Sequence, residues 1–290
     1  MNDKYKNIKA ILICLLGFTC FSFGDATYKW LSSGYHVFFM TFIASIASLA
    51  IILAAATIKG EFRNTFTPER PYAHLFRGLI MFLQFATFIT GISHMDLAKA
   101  YTIAFVTPFI TTLMAMAMFN EKANKHQWIA IIGGFIGVLT VLRPGIIEID
   151  IWTLCILASA CFISFANLYA RKITSEKDST FTLPASVSIV TILITLILIP
   201  TTTDGFLIPD ITTLSLLIFA GSISAAGLYF VPKAFTMAPA SIVAPMHYVQ
   251  ILWAILFGIF IFEEQSDPYT FIGATIIIIS GIYLLRKERK

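Results

Sequence analysis

The feature that most constrains this sequence is a succession of long apolar runs. The first extends from Ile8 to Trp30 and carries only Lys9, Asp25 and Lys29 as charges. Comparable runs follow at 35–58, 72–93, 97–119, 126–143, 151–171, 181–201, 211–232, 239–262 and 269–285. A hydrocarbon core about 30 Å thick is crossed by roughly 20 helical residues, so the pattern predicts ten transmembrane helices with ends free to slip by a few residues. Transmembrane β-strands would instead show short alternating segments. Composition agrees: 58% of residues are apolar and 12% charged, against about 45–50% and about 25% in soluble domains. The first run is too long for a signal-peptide core and is read as an uncleaved span.

The placement of positive charge orients the chain. With both termini cytoplasmic, 16 of the 20 Lys and Arg residues lie on the inner side, and Lys29, Lys99 and Arg143 on the outer side, with Arg77 inside the third run. Such a bias is what the positive-inside rule requires of an inner-membrane protein. No basic block with interleaved aromatics is present, which excludes a nucleic-acid partner. Cys14, Cys20, Cys155 and Cys161 all sit in apolar runs and read as small buried hydrophobes.

A shift of 142 brings the chain into register with itself. Phe23, Gly24, Asp25 and Lys29 meet Phe165, Ala166, Asn167 and Arg171; Phe88, Met95 and Ala98 meet Phe230, Met237 and Ala240. A one-residue slip then pairs Glu121 with Glu264 and Arg143 with Arg286. The expected architecture is therefore an all-α integral membrane protein, ten transmembrane helices in two inverted five-helix repeats, over residues 1–145 and 146–290. Because five is odd, the second copy enters the membrane from the opposite side, a recurrent build of secondary transporters.

Several short motifs complete the pattern: Leu97-Ala98-Lys99-Ala100, Pro108, Asn120-Glu121 and Val141-Leu142-Arg143-Pro144-Gly145 in the first half, and Ala238-Pro239-Ala240-Ser241, Pro245 and Glu263-Glu264 in the second. With these the whole chain resembles the EamA-type drug/metabolite transporter superfamily. The resemblance implies a carrier that alternates access around a cavity formed by the first, third and fourth helices and their counterparts. Members of that superfamily handle amino acids, nucleoside-like compounds, sugars or lipid-linked groups. The stretch Arg70-Pro71-Tyr72-Ala73-His74-Leu75-Phe76-Arg77-Gly78 is similar to that in members that take up S-adenosylmethionine.

Polar side chains are costly in hydrocarbon and so tend to face a cavity or a partner helix. The candidate binding residues are Gln84 with Phe85 and Phe88, Tyr101 with Phe105, Asn167, Tyr229, and His247 with Tyr248, Gln250 and Trp253. Gln84 reads equally as a substrate ligand and as a tie between helices. Pro108 and Pro245 remove helix hydrogen bonds and free carbonyls, which makes them gating candidates. Asp25 is a candidate gate or proton site, four residues from Lys29 and able to pair with it. His247 changes charge near neutral pH and could take a coupling proton. Arg77, about 9 Å into its helix at 1.5 Å per residue, is expected to snorkel to the inner headgroups. Glu121, Glu263 and Glu264 are expected to be solvated at helix ends. Gly133 and Gly137 form a G-x-x-x-G that favours close helix contact.

No catalytic residue, metal site or cofactor is expected, and no phosphate-binding loop of the G-x-x-x-x-G-K-[ST] type occurs in the sequence. The function expected is a secondary transporter of a small organic metabolite, amino acid or nucleoside-like, S-adenosylmethionine included. Its expected partners are a small-molecule solute and the lipid bilayer; proton coupling and facilitated exchange both stay open, and a monomer is the favoured working unit. The rival class is a membrane-embedded enzyme, which needs paired carboxylates, a His/Asp cluster or an activated nucleophile.

Overall fold

The structure, a computed structural model, describes residues 3–120, 124–143, 150–175, 177–202, 208–264 and 267–288. Among them every regular element is helical: α1 (Asp3–Leu31), α2 (Val37–Ile58), α3 (Phe62–Thr65), α4 (Pro71–Ile92), α5 (Leu97–Ala104), α6 (Thr107–Phe119), α7 (Lys125–Leu142), α8 (Ile151–Ile173), α9 (Thr182–Leu198), α10 (Ile211–Met237), α11 (Ala240–Val243), α12 (Val249–Phe260) and α13 (Pro268–Glu288). A 3-10 segment over Ala244–Tyr248 joins α11 to α12. Seven helical stretches are long and apolar enough to cross a bilayer, α5 and α6 counting together as one, and three shorter apolar helices lie at Lys125–Val141, Met246–Phe260 and Pro268–Tyr283.

Helix starts follow local chemistry. Asp150 accepts from the backbone N–H of Thr153, Asp210 from those of Thr212 and Thr213, and Asn124 forms a capping box with Gln127. Each side chain satisfies a donor that the first turn would otherwise leave bare. Turns at the far ends use the left-handed region at Asn120, Arg143 and Glu263.

Helix pairs set the architecture. α1 packs along α10, α4 along α8, α7 along α13, and α2 between α9 and α10. The α7–α13 seam depends on glycine: a β-carbon on Gly137 would lie 2.8 Å from the Gly273 carbonyl oxygen, and one on Gly273 2.6 Å from that of Gly137. Gly133 faces Ser280 on the same seam, so the G-x-x-x-G joins helices within one chain. The outer surface carries Leu12, Leu16, Ile46, Ile51, Ile132, Ile136, Leu193 and Ile197, all exposed. Apolar cover of that extent suits lipid and not water.

Helix directions follow from contacts at the two ends. Lys29, at the end of α1, donates to the carbonyl of Ile92 at the end of α4, so α1 and α4 run parallel. His94, just beyond α4, stacks on Trp152 at the start of α8 with ring centroids 3.7 Å apart. Arg70, just before α4, donates to the carbonyl of Lys172 near the end of α8. α8 therefore runs opposite to both α4 and α1.

Several expectations are corrected. The fourth and ninth apolar runs are not single straight helices: the first is interrupted at Phe105–Val106 before Pro108, the second by the 3-10 turn that contains Pro245. Arg77 does not reach the headgroups. Its side chain is fully buried, with Nε donating to the Ala166 carbonyl at 3.0 Å, because α8 covers the face of α4 from which it projects. Asp25 does not pair with Lys29, because Tyr101 reaches it from α5. Glu264 is not solvated, because Lys29 and the start of α5 cover it. The four thiols are free, but only Cys14 is buried, and Cys161 faces outward. Glu121 and Pro144-Gly145 lie outside the described residues, as do the side chains of Ala240, Ser241 and Pro245.

Candidate functional site

A cavity lies where α1, α4, α8 and the two interrupted helices converge. Each element brings residues at its own period. α1 presents Phe18, Phe21 and Asp25 on one face, and α4 presents Gln84, Phe85 and Phe88. α8 supplies Ser159, Ala160 and Ile163. Ala104 and Thr107 flank the break between α5 and α6. In the second half, the 3-10 turn advances about three residues per turn and sets His247 beside Gln250 on the wall.

The polar groups form a short chain. Asp25 Oδ2 accepts a hydrogen bond of 2.5 Å from the Tyr101 hydroxyl, and the Tyr101 oxygen in turn accepts one of 3.4 Å from Gln250 Nε2. Asp25 thus finds its partner 76 positions away, although Lys29 is close in sequence. Among the described residues no Lys or Arg lines the cavity, so the carboxyl is left without a cationic neighbour on that wall. Three further atoms are buried without a partner among the described residues: Gln84 Oε1, Gln250 Oε1 and His247 Nδ1. An unsatisfied buried acceptor costs about 1–3 kcal/mol, and a passenger that donates hydrogen bonds would recover it.

Aromatic rings complete the lining. His247 stacks on Phe18 with centroids 4.5 Å apart and meets Phe105 edge-on at 5.9 Å. Phe88 stands edge-on to Tyr101 at 5.4 Å. Phe18, Phe21, Phe85 and Phe88 all contribute to the wall. Rings of this kind attract cations to their faces. The chemistry on offer is thus one carboxyl, two amide oxygens and several π surfaces, with no fixed positive charge among the described residues.

Of the candidates from sequence, Asp25, Gln84, Phe85, Phe88, His247 and Gln250 lie on the cavity wall. Tyr101 and Phe105 stand directly behind it. Tyr248 packs against Phe105 and beneath Gly281, and Trp253 donates from Nε1 to the Thr19 hydroxyl. Asn167 is buried in α8 away from the lining. Pro108 is buried near the start of α6 and its carbonyl accepts from Thr112. Tyr229 stacks on Phe181 and accepts a hydrogen bond from Lys233. Phe18, Phe21, Ser159, Ala160 and Ile163 are not conspicuous in the sequence as site residues. The 142-residue offset held the signal: it pairs Phe18 with Ala160 and Phe21 with Ile163, and both pairs line this cavity.

The EamA-like transporter family matches residues 8–143 and again 150–286. The chain belongs to that family. An S-adenosylmethionine uptake transporter of Rickettsia conorii is 28% identical over 291 residues, covering 100% of this chain and 97% of that protein. A riboflavin transporter of Rhizobium johnstonii is 26% identical over 76% of this chain and 72% of its own length. A solved crystal structure shares the fold with a TM-score of 0.74 and 15% identity, covering 96% of this chain and 98% of that one. The protein is accordingly a multi-pass membrane transporter of the EamA-like family that carries a small metabolite.

Two contacts lie at positions 142 to 143 residues apart in this EamA-like chain, at opposite ends of the bundle. At one end Lys29 Nζ bonds Glu264 Oε1 at 2.7 Å and sits 5.4 Å from the Phe262 ring centroid. It also donates to the Met95 carbonyl at 2.6 Å, while Glu264 Oε2 accepts from the Leu97 N–H and so caps α5. Both side chains are largely covered, being 13% and 10% exposed. At the other end the Arg171 guanidinium lies 4.6 Å from the Phe119 ring. Lys29 and Arg171 are 142 apart, and Phe119 and Phe262 are 143 apart.

Proposed function

We propose that this protein carries a small organic cation, of the class to which S-adenosylmethionine belongs, across the inner membrane by alternating access. The observation that carries the reading is Asp25: a buried carboxyl on an aromatic, acceptor-rich wall with no Lys or Arg beside it among the described residues. A sulfonium or ammonium centre would take that charge, and amine donors would meet the free amide oxygens of Gln84 and Gln250. The name of the Rickettsia conorii relative points to the same chemical class.

Ten crossings, with both termini cytoplasmic, accommodate the seven long and three shorter apolar helices and the asymmetry of positive charge. Two five-helix halves of opposite sense are supported by the antiparallel run of α1 and α8. The paired contacts at Lys29 and Arg171 act as alternating closures, one for each face. A single chain builds the whole cavity, and the working unit is a monomer. Asp25 and His247 are the titratable side chains on the wall; a proton on either one competes with a cationic cargo, which couples cargo affinity to pH.

The test is uptake of radiolabelled S-adenosylmethionine by sealed proteoliposomes. Removing the charge with Asp25→Asn lowers cargo affinity by roughly tenfold or more, as expected for a charge-assisted contact of about 1.5–3 kcal/mol. Unchanged uptake by that variant sinks the assignment of the site. Chemical conversion of the compound in detergent would instead favour an enzyme.

A further inference from the structure

We propose that a second cavity, on the other side of Phe85, is the subsite for a neutral, vicinal-diol portion of the cargo such as a ribose. This cavity lies between α2, α9 and α10, with Tyr28 of α1 and Phe85 of α4 also on its lining. Its wall is unlike that of the first. It carries the hydroxyls of Tyr28, Thr41, Ser48, Ser188, Thr191 and Ser224 and, among the described residues, no charged side chain.

Hydroxyls on membrane helices ordinarily donate to their own backbone, three or four residues earlier. Many do so in this chain, Ser22, Thr102 and Thr195 among them. Thr41 also does so, donating to the carbonyls of Val37 and Phe38. On the wall of the second cavity, Ser188 and Thr191 are among the residues that depart from that habit. Ser188 donates across to Ser48 on α2 at 3.2 Å. Thr191 is 2% exposed, and its hydroxyl has no partner among the described residues. A buried hydroxyl without a partner costs free energy, and a site built to bond a ligand hydroxyl discriminates against an analogue that lacks it.

The wall also decides what does not bind. A cation would find no carboxylate there, and an anion no Lys or Arg, among the described residues. A group that both donates and accepts, while remaining neutral, matches a surface made of hydroxyls. Phe85 lines both cavities and meets Phe21 edge-on at 6.2 Å. Its ring is a partition between a charged chamber and a hydroxyl chamber. An elongated passenger with its positive centre near Asp25 can reach the second chamber with its sugar once that ring turns.

This inference rests on the carrier reading, and the test separates the two. Purified protein is titrated with adenosine and with 2′,3′-dideoxyadenosine, both neutral, by ligand-induced thermal stabilisation. Adenosine binds roughly three- to tenfold more tightly to the wild-type protein, the worth of one or two hydrogen bonds. Thr191→Val abolishes that preference while retaining binding of the dideoxy compound, and Ser188→Ala, a milder change, reduces it. Equal binding of the two nucleosides by the wild type overturns the subsite and leaves the chamber to water. So does a preference that survives in both variants, or binding of neither nucleoside. Uptake of S-adenosylmethionine against S-methylmethionine, a sulfonium without a nucleoside, tests the cargo reading by itself: transport of neither refutes the cation carrier whatever the nucleosides show.

Discussion

At the residue scale, the Asp25–Tyr101 pair has a consequence of its own. Tyr101→Phe removes the hydroxyl that donates to Asp25 and accepts from Gln250 but leaves the ring against Phe88 in place. Cargo affinity should shift about three- to tenfold, less than for Asp25→Asn, because a positioning hydrogen bond is lost and not the charge. Competition binding with S-adenosylmethionine on purified protein measures the ordering, and a larger effect from Tyr101→Phe would contradict it. A second residue-scale prediction concerns Asp178, in the loop between α8 and α9. Burial pushes its carboxyl upward. The N–H groups of Ser175 and Glu69 and the nearby His74 outweigh burial and hold it below the usual carboxylate range. A carboxyl depressed in this way stabilises the fold above its unfolded pKa of about 3.9, and the contribution fades as pH falls through the folded value. The melting temperature of the detergent-solubilised protein should therefore exceed that of Asp178→Asn at pH 7, with the gap closing below about pH 4. A gap that persists in acid would assign the role of Asp178 to something other than its charge.

At the scale of elements, the Lys29–Glu264 contact ties the end of α1 to the segment after α12, and Glu264 at the same time caps α5. Removing one member leaves a largely covered charge unpaired, which costs about 3 kcal/mol or more. Lys29→Ala and Glu264→Ala should each destabilise strongly, and the double variant should cost well under their sum. A double-mutant cycle on unfolding free energies reads this directly, and additive losses would show that the two groups act independently. On the α7–α13 seam, Gly137→Val would force its side chain against the Gly273 carbonyl. The expected loss is about 1–3 kcal/mol from overpacking, seen as a lower melting temperature.

At the scale of the whole molecule, the proposed arrangement of opposed halves requires particular residues to face opposite sides of the membrane. Cysteines placed at Lys59, beyond α2, and at Asp210, the cap of α10, in a background without other thiols, should react with an impermeant maleimide from different sides. Labelling of both from one side would remove the ten-crossing arrangement.

The helices are legible in the sequence alone, because the length and hydropathy of a membrane helix are local properties set by bilayer thickness. The 142-residue offset, the family resemblance and the prominence of Asp25, Gln84, His247 and Gln250 are legible for a related reason: a polar group inside an apolar run is conspicuous in one dimension. Partnerships are not. Lys29 lies four residues from Asp25 yet binds Glu264, while Asp25 turns to Tyr101 and Arg77 is sealed under α8. Nor does any local signal show that Phe85 lines two cavities, one with a carboxyl and one with several hydroxyls. Which polar groups meet depends on which helices lie side by side. That choice is made by the packing of glycine seams and aromatic faces across the bundle, between residues far apart in the chain.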